Sequence, residues 1–295
     1  MTTFLEVTSG KQKWQMHSNL LAALNVFKKN IKHGWDFVCL VTSDGMPRVG
    51  KTVLALQSCQ YLDKTFNIDR VCFTGEELRE KSMKLSEGQA IVLDEARTDL
   101  GSQSAIETHS KKLLRYLDFV GKKHLFFFIL MPDFFQFNSS LACGRSICLF
   151  NLKFEANIRT AELVHGKFNY FSYHKKRRLY YMGKQMYRDY NAVRPDFIGF
   201  TKDYWPINKA EYEARKDKAT KELIKKEEEA EQKGNNGNKR DALKEYARSM
   251  AIGLARLRYE EGYTVIKLSR MFERKPQNLG ALISLAKNGV KKNNG

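Results

Sequence analysis

Three stretches of the chain have residue types and spacings suited to chemistry on phosphates. The first is Gly45-Met46-Pro47-Arg48-Val49-Gly50-Lys51-Thr52, a full match to GxxxxGK followed by Ser or Thr. Its glycines let the backbone curl until the N–H groups face a phosphate, at the start of a helix whose dipole favours an anion. Lys51 then brings positive charge to the β- and γ-phosphates, and the Thr52 hydroxyl binds Mg²⁺. The pattern predicts ATP with Mg²⁺ as the ligand. The second stretch is Gln89-Ala90-Ile91-Val92-Leu93-Asp94-Glu95-Ala96, an apolar run that ends in two acids. Asp94 suits a magnesium ion held through water, and Glu95 is placed to polarise a nucleophilic water. The third stretch, Gly166 to Arg188, carries seven basic and seven aromatic residues and no acid. Cations can track a phosphate backbone while aromatic faces stack on bases. Within it Lys175, Lys176, Arg177 and Arg178 are expected at the tip of a hairpin, as a nucleic-acid contact.

Composition agrees with a polyanionic partner. The 295 residues hold 51 Lys and Arg against 33 Asp and Glu, a net charge of +18, with ordinary globular proportions of 42% hydrophobic and 12% aromatic residues. Such an excess points to DNA before a membrane surface. The longest apolar run, Leu125 to Met131, is far short of the ~20 residues that cross a bilayer. The start MTTFLEVTSGKQKW has no signal-peptide core, so a cytoplasmic location is expected, either host cytoplasm or virion. Five cysteines, never spaced CxxC and mostly within apolar stretches, predict free core thiols rather than disulfides or zinc ligands.

The elements that must position these residues follow from the hydrophobic pattern. Strands are predicted at Asp36–Thr42, Arg70–Thr74, Gln89–Leu93 and His124–Met131, with helices between them at Gly50–Lys64, Glu76–Leu85 and Gln103–Gly121. That alternation predicts an α/β core with a mostly parallel sheet over residues 1–155. Residues 156–208 read as a β-rich extension, with SICLFNLKFE and KFNYFSYHKKRRLYYMGKQMY as strands joined by turns. Residues 209–239 form a connector. Its part from 209 to 233 has eight basic and eight acidic side chains and almost no apolar stripe, a solvated ion-paired helix, and GNNGN follows as a linker.

With a phosphate loop followed some 40 residues later by the Asp94–Glu95 pair, the sequence resembles the additional-strand, catalytic-glutamate class of P-loop NTPases. The resemblance implies a RecA-like core. The layout after Glu95 is a helix, a Gly-Lys turn, the apolar strand LFFFILMPDFF and then Arg145. It is similar to that of the FtsK/HerA branch of DNA-pumping ATPases, whose relatives include viral packaging ATPases and zonular-occludens-toxin-like proteins. That branch commonly closes its fourth strand with a polar sensor, often Gln. Here Met131-Pro132-Asp133 stands instead, with Asp133 or Gln136 as substitutes. Ring ATPases of this kind complete the site with an arginine from a neighbouring subunit. The resemblance makes Arg145 the first candidate, with Arg115 and Arg97 behind it.

Residues 240–295 carry 12 basic and five acidic side chains and resemble a small all-helical, helix-turn-helix-like domain. Ile266, Leu268 and Phe272 are expected to face inward, with Leu279, Leu282 and Ile283 packing a second helix that presents Gln277 and Asn278 to a DNA groove. Glu273 occupies the turn where Gly is usual, and a helical hairpin for subunit or capsid contacts is the competing reading. Two functions follow. One is an ATP-driven motor that moves DNA as a homo-oligomeric ring, in packaging or transfer. The other is a nucleotide-switched DNA-binding loader or regulator in replication or transposition.

Overall fold

The computed structural model describes residues 3–10, 12–94, 113–153, 155–157, 162–222 and 224–225, together with scattered positions between 254 and 283. The chain divides into two compact units, Met1–Leu223 and Ile224–Gly295.

The first unit opens with the hairpin β1 (Phe4–Ser9) and β2 (Gln12–His17), then α1 (Ser18–Ile31). The central strands are β3 (Phe37–Thr42), β4 (Val71–Cys72), β5 (Ala90–Leu93), β6 (Phe126–Leu130) and β7 (Cys148–Leu152). Between them lie α2 (Lys51–Leu62), α3 (Gly75–Met83) and α4 (113–120). A short antiparallel pair follows, β8 (Glu155–Asn157) with β9 (Glu162–Val164). Then come β10 (Lys167–Phe171), α5 (Tyr173–Gln185), β11 (Phe197–Phe200) and α6 (209–222).

The main sheet runs β11-β10-β7-β3-β6-β5-β4. The five strands from β7 to β4 are parallel, while β10 and β11 add antiparallel at the β7 edge. All residues of β3, β5, β6 and β7 are buried, because helices cover both faces of a parallel sheet and leave no side for water. Alternate residues of β3 feed two separate cores. Cys39 and Val41 enter one with α1, α2 and the β1–β2 hairpin, and Val38 and Leu40 enter the other with α3, α4 and α5. All five cysteines are buried and free.

Two features of the β-rich region differ from the sequence expectation. β10 and β11 join the main sheet at its β7 edge, so part of the extension expected over 156–208 continues the core sheet. The segment from Tyr173 is a helix, not the second arm of a hairpin: Lys176, Leu179, Tyr180 and Gly183 are buried at helical spacing against the second core. Alternation ends at Phe171, and Gly183 packs so closely on the Phe135 ring that an added Cβ would lie 2.5 Å from it.

In the second unit, Leu254, Leu268, Leu279 and Ile283 form a small buried cluster, with α7 spanning Val265–Met271. Ile266 is exposed, because its neighbour Leu268 takes the inward position on α7. Phe272, Gln277, Asn278 and Leu282 lie outside the described residues.

Candidate functional site

Ligands of open α/β sheets bind beyond the carboxyl ends of the strands, and the phosphate loop leaves β3 at that end. Gly45 (φ 82°) and Gly50 (φ 102°) both take left-handed conformations. At Gly50 a side chain would be strained by this backbone conformation, although Gly166 Cα and Leu152 Cδ2, both 3.5 Å from an added Cβ, would meet it only in ordinary contact. Gly166 N donates to Val49 O at 3.1 Å, so the turn before β10 backs the loop. The N-cap of α2 is Gly50, which offers no side-chain acceptor, and the first turn carries no acid. By contrast α3 is capped by Thr74 and has Glu76 and Glu77 in its first turn. The start of α2 is thereby left to an external anion. Lys51 Nζ donates to Ser43 Oγ at 2.5 Å and to Met46 O at 3.3 Å, which holds the ammonium inside the curl of the loop.

α2 is clamped from behind. Gln57 Nε2 donates to the carbonyls of Lys202 and Tyr204, each at 2.8 Å, and Ser9 Oγ donates to Gln60 O at 2.9 Å. These bonds fix the register of Thr52, on the first turn of the helix.

Asp94 follows β5 directly and is 2% exposed. Thr52 Oγ1 donates to Asp94 Oδ2 at 3.1 Å, bringing together the two predicted magnesium-binding residues. A hydroxyl and a carboxylate are hard oxygen donors, the chemistry that Mg²⁺ takes. The same Oδ2 also accepts a hydrogen bond from the Tyr212 hydroxyl, and Lys216 Nζ lies 3.9 Å from it. Both come from α6, whose N-cap Asn208 accepts from Ala210 N at 3.0 Å. Tyr212 is buried between the rings of Phe73 and Trp205. Burial, then the neighbouring Asp94 charge, hold its phenol well above the usual range, so it is the donor. A helix expected to be a solvated connector therefore reaches into the site through residues four apart. Glu95 lies outside the described residues, as does Arg97.

A cleft of about 360 Å³ opens beside the loop, lined by Asp44 and Gly45 and by Pro132, Asp133, Gln136 and the segment Arg188–Asn191. Asp133 accepts from Tyr190 OH at 2.9 Å and pairs with Arg188 Nη1 at 3.2 Å. Gln136 Oε1 is buried with no hydrogen-bond partner among the described residues. Both sensor substitutes are thus on the loop side of β6.

Other predicted site residues are elsewhere. Arg145 sits at the amino end of the sheet: it pairs with Asp36, immediately before β3, bonds Leu117 O at 2.9 Å and pairs with Asp118 at 3.2 Å. The six-residue β3 puts about 20 Å between that end and the phosphate loop. With its guanidinium held by two carboxylates and a carbonyl, Arg145 clasps α4 to β3, at the opposite end of the sheet from this chain's own phosphate loop. Arg115, on α4, is exposed. The four cations of Lys175–Arg178 do not act alike. Lys175 pairs with Asp196 at 3.1 Å. Lys176 is fully buried, donating to Ala142 O at 2.7 Å, and burial lowers its pKa to about 8. Its helical position turns it inward, so it faces no nucleic acid. Arg177 and Arg178 are exposed, on the helix face that also carries Tyr181 and Lys184, with Tyr187 and Arg188 just beyond.

No known protein family matches the chain, and no curated protein does. Among solved structures it is similar to AMPPCP-bound DnaA from Aquifex aeolicus, with 13% identity over 93% of this chain and 89% of that one and a TM-score of 0.27. A likeness of that size carries no argument about fold or function.

Proposed function

We propose that this chain is a Mg²⁺-dependent ATPase acting on DNA as a homo-oligomer. The observation that carries the reading is the meeting of Lys51, Thr52 and Asp94 at the carboxyl ends of β3 and β5, with β6 inserted between those two strands. That inserted strand agrees with the additional-strand class which the sequence resembles. Residues Gly45 to Thr52 cradle the phosphates, and Lys51 offsets their charge. Thr52 and Asp94 would hold Mg²⁺, which neutralises charge developing on the transferred phosphoryl group. Glu95 orients the attacking water, and Gln136 and Asp133 face the same cleft as polar sensors.

DNA contact is supported by the +18 charge and by the exposed face of α5, where Arg177, Arg178, Tyr181 and Lys184 combine cations with an aromatic ring. In a ring, the arginine from the neighbour is Arg115 or Arg97. The loader reading is favoured by the buried cluster Leu268, Leu279 and Ile283, which fits a helix-turn-helix-like unit presenting Gln277 and Asn278 to a groove.

ATP turnover measured without DNA and with duplexes of increasing length tests the proposal. A motor hydrolyses faster as the duplex lengthens, and a loader saturates at a short site. Equal turnover by the parent chain and Lys51→Ala would end the ATPase reading altogether.

A further inference from the structure

The nearest partners of Asp94 include two residues of α6 that no phosphate-loop pattern contains. Tyr212 and Lys216 are four residues apart, hence on one face of the helix, and both are directed at Asp94 Oδ2. They are also near each other, with Lys216 Nζ 3.5 Å from Tyr212 OH, and Tyr212 OH is 3.5 Å from Thr52 Oγ1. The two side chains differ in how firmly they are held. Tyr212 is 2% exposed and fixed between Phe73 and Trp205, so its hydroxyl has one position. Lys216 keeps a side-chain exposure of 26% and ends in a compact charge on a flexible stem. It can leave for solvent without disturbing the core.

We propose that Tyr212 is a positioning residue of the metal site and that Lys216 is a tethered cation which the metal displaces. This rests on the ATPase reading above. Tyr212 donates to one carboxylate oxygen of Asp94 and so fixes the plane of the group, as outer hydrogen bonds to metal ligands do. Lys216 neutralises Asp94 until a divalent cation arrives. Two cations cannot share one carboxylate at this range without strong repulsion, so loading the metal moves Lys216 away. Since Lys216 belongs to the last helix before residue 224, metal occupancy of the phosphate loop is registered on α6.

The two roles have opposite signs, which a purely structural role would not produce. Removing the competing charge by Lys216→Gln lowers the Mg²⁺ concentration needed for half-saturation by about fivefold to tenfold. Removing the hydroxyl by Tyr212→Phe raises it by about tenfold while the ring contacts stay. The experiment is a Mg²⁺ titration of a fluorescent ATP analogue bound to the full chain, with affinity in EDTA as the metal-free reference. Measured against each protein's own affinity in EDTA, the two variants should separate from the parent in opposite directions as Mg²⁺ is added. Coincident Mg²⁺ curves for Lys216→Gln and a nucleotide-binding parent overturn the inference and leave the ATPase reading standing. A shift of both variants in one direction overturns it too. A parent that binds no analogue with or without Mg²⁺ removes the ATPase reading and this inference with it. Should Tyr212→Phe not fold, the Lys216→Gln curve alone decides.

Discussion

At the amino end of β3, Arg145 closes on Asp36, Asp118 and the Leu117 carbonyl; at the carboxyl end of β5, Lys216 stands 3.9 Å from Asp94. Each end of the sheet sets a cation against a buried or half-buried carboxylate, yet the two pairs are made differently. The guanidinium is a planar fork whose Nη2 and Nε serve three separate acceptors, so no single replacement satisfies them. The ammonium is a point charge near an oxygen that already accepts from two hydroxyls. A divalent ion can take its place. Paired charges therefore do not by themselves mark a working site. Replaceability does, and it is legible in the number and direction of the donors.

Glu95→Gln should give the largest effect and bears on the carboxyl end. The amide keeps the shape but loses the charge that orients water, so turnover falls by about 10²–10⁴-fold while ATP still binds. Parent-level turnover would move that role to another acid.

Arg145→Ala probes the other end. It leaves Asp36 without its main counter-ion and frees the end of α4, so urea unfolding should show a loss of about 2–3 kcal/mol. ATP turnover per folded molecule should stay at the parent level. Full stability with turnover abolished would restore Arg145 as an arginine acting on a neighbouring site and dissolve the contrast between the ends.

Lys176→Met gives the smallest effect and extends the contrast to a cation with no carboxylate partner among the described residues. Ala142 O keeps a second donor in Ser146 Oγ at 3.0 Å, so removing the lysine orphans nothing. Stability at pH 7 should rise by about 1–2 kcal/mol, with DNA affinity unchanged. The sign with pH is definite. The folded pKa of about 8 lies below that of an ordinary lysine, so the unfolded chain binds more protons from there up to about pH 10.4. The parent therefore gains stability relative to the variant across that window, and the gap between them closes. A gap independent of pH would mean that Lys176 is not buried as a charge.

How much of this was legible in the sequence depends on how local each feature is. The Gly45–Thr52 loop is local in every respect: its glycines take left-handed conformations and its residues follow one another between β3 and α2. β3, β5, β6 and β7 were legible as apolar runs because a parallel sheet buries both faces. α5 was misread because FNYFSY alternates and the basic run after it suggested a turn. The helical spacing of Lys176, Leu179 and Gly183 was present but included a lysine, which no apolar pattern counts. Tyr212 was invisible for a different reason: it lies on a helix almost without an apolar stripe, and its partner Asp94 is 118 residues away. The partners of Arg145 were not legible, because its closeness in sequence to β6 says nothing about which end of the sheet it reaches.

The clamp on α2 also dictates an order of events during synthesis. β3 emerges early, but its sheet neighbours are β6 and β7, made some 90 to 110 residues later. Gln57 then waits for carbonyls 145 and 147 residues further on. A ribosome must therefore release nearly the whole first unit before the Gly45–Thr52 loop acquires its support, while β3 is held with both edges unpaired. Such delay favours wrong pairings between nascent chains. Fragments that stop before residue 200 should accumulate as aggregates, and a bound chaperone should raise the yield of intact protein.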